Sequence, residues 1–219
     1  MTAPPEAVYA VVRVWLPDRP GALGLVASRI GAIRGDIVAV DVLERSGAIA
    51  VDEFAVELAD RDLLPLLVRE IEEVDGASVE QVELVERFPD ARLDALLLVE
   101  RLGAATSPAD VTEVLTHECR VELLAEWAAL LRDDEVLVTD GDAPTSETLV
   151  ALATGTAASP LVASGETGPD ELAIAPLPCN GALLLVERAR PRFRGTERAQ
   201  LLAVARVADR VWSLVARGG

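Results

Sequence analysis

Between residues 8 and 85 the sequence changes rhythm six times, and that order limits the available folds more than any other feature of the chain. Residues 8–15 are apolar and β-branched, as a strand requires. Pro17-Asp18-Arg19-Pro20-Gly21 is a turn leading into a helix. Proline is tolerated in a first helical turn, where its missing N–H would lack a partner anyway, and Asp18 is placed to cap. Leu23, Val26, Ile30 and Ile33 then recur at helical spacing, and Gly35 stops the helix. Residues 37–43 and 49–58 read as strands, and the short link Ser46-Gly47-Ala48 makes them a hairpin. Asp60 caps a second helix, with Pro65 early in it and Leu64, Leu67, Val68, Ile71 and Val74 on one face. Asp75-Gly76 ends that helix, and residues 79–85 form the last strand.

The order βαββαβ is most economically satisfied by one antiparallel sheet with both helices on one face, the ferredoxin-like plan. Such a sheet leaves its other face and its edges open, so a partner, a second copy or the rest of the chain must cover them. After a short polar link around Pro89 the rhythm differs. Residues 93–102 and 108–118 read as helices, the second capped by Ser107. The run ELLAEWAALL suits a helix or a strand, and a strand is favoured at its end because Asp133-Asp134 then turns into residues 135–139. A short helix at 146–153, a loop at 155–169, strands at 172–176 and 182–189 and a long amphipathic helix complete the chain. Pro178-Cys179-Asn180-Gly181 is a strong hairpin turn. The fold class is therefore α+β twice over, with a second antiparallel sheet flanked by helices, and the two domains span residues 7–86 and 91–216.

Charge excludes one class of function. With 37 acidic residues against 20 arginines and no lysine, the net charge of −17 repels phosphate backbones, so no nucleic-acid partner is expected. No basic leader precedes an apolar core at the N-terminus, and no apolar run approaches the roughly 20 residues needed to cross a bilayer. A cytoplasmic location without membrane contact is the expectation. Two cysteines do not make a disulfide framework.

The turn at residues 15–24 carries the most chemistry. Amides of a first helical turn point into it, the helix adds about half a positive charge, and Gly21 lets a ligand approach the backbone. A carboxylate suits that environment, and Asp36, just after the helix, suits an ammonium. An ordinary capped turn is the competing reading. Asp18-Arg19-Pro20-Gly21-Ala22-Leu23 followed by Gly35-Asp36-Ile37, inside βαββαβ, resembles the ACT domain. That resemblance covers about residues 7–86. It implies a regulatory module that binds an amino acid between two copies paired side by side through their first strands or helices. It further implies a site formed by Asp18, Arg19, Pro20, Gly21, Ala22 and Leu23 with Asp36, Ile37 and Val38. Asp36 stands where that family often has Asn, and a carboxylate only accepts hydrogen bonds, which leaves the ammonium as its target.

The second half more loosely resembles the GAF domain, through residues 125–131, 172–177, 181–186 and Pro191-Arg192-Phe193. Its middle, rich in Gly, Ala, Ser and Thr, points to a degenerate copy that packs rather than senses. Other constellations are weak. His117 and Cys119 are too few for a zinc site. Cys179 has no neighbour in sequence to activate it. The acid pairs Asp52-Glu53, Glu72-Glu73 and Asp133-Asp134 read as solvated faces. Arg188, Arg190, Arg192 and Arg194 alternate, so an extended chain would present all four on one side, either as an anion or docking site or as solvated charge. The stripe on the last helix fits its own core or a dimer seam. The sequence therefore predicts a non-catalytic regulatory protein, with no cofactor and no metal, that binds an amino acid at a homodimer interface. The alternative is a structural or interaction module that assembles with a protein partner without a small ligand.

Overall fold

The structure, a computed structural model, describes residues 7–88 and 90–218. The chain divides into two compact units, Met1–Pro89 and Asp90–Gly219.

In the first unit the elements are β1 (Val8–Pro17), α1 (Ala22–Ala32), β2 (Asp36–Ser46), β3 (Ile49–Leu58), α2 (Leu64–Glu72) and β4 (Ser78–Val85). The sheet order is β2-β3-β1-β4, and every neighbouring pair is antiparallel. The expected ferredoxin-like plan is therefore the observed one. Period-two alternation supplies the core: Ala10, Val12, Val14 and Leu16 of β1 and Ala50, Phe54, Val56 and Leu58 of β3 face α1 and α2. Val26 and Ile30 of α1 and Leu67 and Ile71 of α2 close onto them. Leu23 departs from the expected apolar face: it is exposed, and Ala22 is buried in its stead. Asp60 caps as expected, but the cap opens a 3-10 turn at Arg61–Leu63 that leads into α2. The left-handed residue after α1 is Arg34, at φ 62°, while the Gly35 amide donates to the Ile30 carbonyl at 3.0 Å.

The second unit contains α3 (Ala91–Ala104), α4 (Pro108–Glu122), β5 (Trp127–Arg132), β6 (Glu135–Gly141), α5 (Ser146–Ala157), α6 (Pro160–Ala163), β7 (Leu172–Leu177), β8 (Ala182–Glu187) and α7 (Gly195–Gly218). Its sheet order is β6-β5-β8-β7, again antiparallel throughout. Both faces are covered. Ala128 and Leu130 of β5 pack with α3, α4 and α7, whereas Trp127, Ala129 and Leu131 pack towards α5 and α6. The ambiguous run before residue 132 thus ends as the favoured strand, and Asp133 and Asp134 both take positive φ in the turn that follows. The stripe on the last helix belongs to the core of its own unit, with Leu201, Val204, Ala205, Ala208 and Trp212 all buried there. Residues 155–169 are not simply loop: α5 runs to Ala157 and α6 follows.

Candidate functional site

Three connections meet at the end of the first sheet where β1 finishes. The Asp18 amide donates to the Ala48 carbonyl of the β2–β3 hairpin at 2.8 Å, and a Cβ on Gly76, between α2 and β4, would stand 2.7 Å from the Pro17 ring. Within this frame α1 begins without a side-chain cap. Gly21 occupies the cap position at φ 90°, a conformation that side chains resist, and no atom lies within 4 Å of where its Cβ would be. Ala22 donates to the Arg19 carbonyl at 3.2 Å. The Leu23 and Gly24 amides have no acceptor among the described residues. They face outward under the positive end of the helix.

Asp18 does not cap α1, contrary to expectation. Arg45 holds it from two directions, Nε donating to Oδ2 at 3.1 Å and Nη2 to Oδ1 at 2.6 Å. A register shift in β2 between Val42 and Glu44 brings Arg45 opposite Ala50, on the sheet face that carries the helices. A second acid stands on the same face. Asp52 pairs in register with Val14 and Val42, so it belongs to the helix-facing row Ala50, Asp52, Phe54, Val56, Leu58 and is the one charged member of that row. It is 3% exposed, and its Oδ1 is buried without a hydrogen-bond partner. Burial raises its carboxyl above the usual range, the Asp18 charge adds to that, and Arg45 opposes it. The reading of Asp52-Glu53 as a solvated pair therefore fails. Asp52 points inward, and Glu53 accepts from Arg13 Nη2 at 2.7 Å across the other face.

The remaining expected site residues lie elsewhere. Asp36, Ile37 and Val38 open β2, and Asp36 pairs in register with Glu57, whereas Pro17 and Ser46 both pair with Ile49. Eight residues of β3 (57 − 49) separate the two ends, roughly 27 Å at strand rise. One chain thus brings together Asp18, Arg19, Pro20, Gly21, Ala22 and Leu23 but not Asp36, Ile37 and Val38. Asp36 and Val38 are exposed. Of the pairing through first strands or helices that the ACT resemblance implies, the strand route is closed off, because β1 is flanked by β3 and β4 and the free edges belong to β2 and β4.

In the second unit the conspicuous charges are engaged in structure. Arg188 is 1% exposed, its guanidinium bonding Glu197 at 2.6 Å and the carbonyls of Leu123, Pro191 and Arg192. Arg194 is buried too, while Arg190 and Arg192 are exposed, so the four do not form one row. Arg192 reaches Asp170 at 2.9 Å, a contact with the acidic span. His117 and Arg120 both bond Asp140 Oδ2, at 2.9 and 2.7 Å, and the Arg120 hydrogen bond is the main cause that lowers the Asp140 carboxyl. The Cys119 thiol is pushed up to about 12 by burial, with Glu118 and Glu122 adding to it. A thiol held there is no nucleophile at neutral pH. The sheet face under α5 and α6 is filled by Trp127, Leu131, Leu149, Leu172, Ile174 and Leu185. Among the described residues no cluster of three or more His, Cys, Asp or Glu is arranged to hold a metal.

Sequence reasoning missed Asp52 and Arg45. For Asp52 a signal was present: in a strand with strict alternation, position 52 falls in the apolar row. Arg45 gave none, because its face depends on the bulge.

No family model and no curated protein matches the chain. Among solved structures it is similar to the ACT domain from GTP pyrophosphokinase of Chlorobium tepidum, at 18% identity over 38% of this chain and 92% of that one, with a TM-score of 0.30. It is similar to a bacteriophytochrome from R. palustris at 15% identity over 82% of this chain and 48% of that one, TM-score 0.42. An unknown protein from Galdieria sulphuraria aligns at 15% identity over 95% of this chain and 94% of that one, TM-score 0.35. Likenesses of this degree leave the function to be argued from the chain's own residues.

Proposed function

We propose that the first unit is a regulatory module that binds a free α-amino acid at the start of α1, and that the chain acts by this binding rather than by catalysis. One observation carries the reading: α1 opens on a glycine with clear space beside it and with the Leu23 and Gly24 amides unpaired. A carboxylate seated there would satisfy both donors and the helix dipole.

The site is completed by a second copy. The free edge of β2 carries Val38, Val40 and Val42, between 36% and 52% exposed. Exposed apolar side chains on an open edge favour pairing with another strand. Two copies related by a twofold axis pair their β2 strands antiparallel, since an isologous contact sets each strand against its own reverse. That pairing brings the partner subunit's Asp36 beside Ser46, at the same end of the sheet as the Asp18 turn, with β2 and β3 between them.

Thermal denaturation of the full chain in the presence of each proteinogenic amino acid tests the reading. A ligand at one hundred times its dissociation constant adds about 2.7 kcal/mol of stability. Sedimentation is expected to give a dimer. A chain that no amino acid stabilises at millimolar concentration, but that sediments as a dimer, is an assembly module, and the sensor reading is then wrong.

A further inference from the structure

Asp52 is a charged side chain in a row of β3 that is otherwise apolar from Ala50 to Leu58. Replacing it with an apolar residue would complete the row between Ala50 and Phe54. As it stands, a carboxylate oxygen is buried without a donor, an arrangement that folded proteins rarely keep. Its surroundings indicate what is missing. Asp18 and Arg45 lie at the same end of the sheet, and Arg45 is diagonal to Asp52 across β2 and β3. Two carboxylates there share one guanidinium. Arg45 makes both of its hydrogen bonds to Asp18 and leaves Asp52 without a donor. The side chain of Arg45 is 66% exposed, so it can swing away without unpacking the core.

Resting on the amino-acid reading above, we propose that Asp52, with Asp18, receives the ammonium group of the bound amino acid, and that Arg45 holds that place in the free protein. The ligand's carboxylate then sits on the Leu23 and Gly24 amides. Its ammonium enters beneath the turn between the two aspartates, displacing Arg45 outward. A zwitterion is selected over a plain carboxylic acid because only a cation relieves the second aspartate. This assigns the ammonium to the chain that holds the carboxylate, and it leaves the partner subunit's Asp36 at the rim.

Each proteinogenic amino acid is titrated against the full chain and against Asp52→Asn, Asp36→Asn and Arg45→Ala, with melting temperature as readout. For each amino acid that shifts the native chain, the 2-hydroxy acid of the same side chain is titrated in parallel. The hydroxy acid is expected to fail. Asp52→Asn is expected to weaken binding by about tenfold or more, the loss of one charge-assisted hydrogen bond. Arg45→Ala should bind at least as tightly as the native chain, and Asp36→Asn should lose less than Asp52→Asn. If the hydroxy acid binds as well as the amino acid, or Asp52→Asn binds like the native chain, Asp52 is not the receptor, although the amino-acid reading survives. If no amino acid shifts the native chain, that reading falls and this assignment with it. The hydroxy-acid comparison needs no variant, so it can overturn the assignment even if Asp52→Asn fails to fold. Asp36→Asn then separates the two aspartates: a loss there as large as the whole discrimination against the hydroxy acid overturns the assignment to Asp52.

Discussion

Both units bury charged side chains, but they treat them differently. In the second unit Arg188 spends its donors on Glu197 and three carbonyls, Arg198 donates to the carbonyls of Leu172 and Pro169, and Asp209 accepts from the amides of Cys179 and Asn180. Each of these pins a loop to a helix or a strand: Arg188 fixes the segment before α7, and Asp209 fixes the β7–β8 turn onto α7. In the first unit Asp52 pins nothing. A buried charge with every partner present is a structural fastener, whereas one without a donor is a cost that the fold carries. The second unit thus has both faces of its sheet covered, with Arg188, Arg198 and Asp209 each engaged by the backbone around them. The first keeps an open end, where α1 begins without a cap.

Breaking a fastener is the severest test of that contrast. Arg188→Ala strands the Glu197 carboxylate and three carbonyls in a dry interior. The variant is expected to lose about 3–5 kcal/mol, read from the midpoint of denaturant unfolding. A loss below 1 kcal/mol would place the cluster among ordinary surface pairs.

The glycines sharpen the same comparison. Gly141 sits at φ 79°, and a Cβ there would lie 2.1 Å from the Glu126 carbonyl oxygen and 2.8 Å from Arg120. Gly141→Ala therefore meets both backbone strain and fixed backbone, a loss of about 2–3 kcal/mol. Gly21, at φ 90°, has nothing beside it, and Gly21→Ala bears the backbone strain alone, about 1–2 kcal/mol. The two melting temperatures should separate in that order. Equal losses would mean that the space beside Gly21 is occupied in solution.

Helix starts differ as well. α4 opens with a full capping box: Ser107 accepts from the Asp110 amide at 3.2 Å, and the Asp110 carboxylate accepts from the Ser107 amide at 2.9 Å. Ser107→Ala should lower stability by about 1 kcal/mol, measurable by chemical denaturation. α1 has no such cap to remove, so Asp18→Ala should leave the helix intact and release only Arg45.

How much of this was legible depended on whether a signal was local. All six elements of the first unit follow from periodicity and turn chemistry, because α1, α2 and the β2–β3 hairpin are each specified within their own residues. Ser107 and Asp60 announced caps for the same reason. Asp18 misled because a capping residue and an ion-pair partner look alike in sequence. What decides is where Arg45 falls, and that depends on the bulge after Val42. The alternating arginines misled because alternation predicts one face only while the chain stays extended, whereas β8 ends at Glu187 and Arg188 turns inward to Glu197. The distance between Asp36 and the Asp18 turn was implicit in the topology. A helix that returns along the sheet must deliver the next strand's start to the far end.

The smallest effect in the free protein is expected at Asp52, and its sign is diagnostic. Asp52→Asn removes a buried charge but keeps a buried polar group, so the two changes partly offset. The pH dependence separates them. Burial raises the folded-state carboxyl of Asp52 above its unfolded value. Over the interval between the two values the folded protein binds more protons than the unfolded one, so stability falls as pH rises through it. Below the unfolded value, near pH 4, Asp52 is neutral in both states and its charge costs nothing. Asp110 has the opposite sign: hydrogen bonds from Thr106 and Ser107 lower its carboxyl, so its contribution is present above the ordinary range and lost on acidification. Asp52→Asn leaves that acid limb untouched. The difference in melting temperature between variant and native chain should therefore be smallest in acid and grow, in favour of the variant, as pH rises towards neutrality. A gap that is flat with pH, or that favours the native chain at neutral pH, would mean that Asp52 already has a partner in the free protein, and the contrast between the two interiors would then disappear.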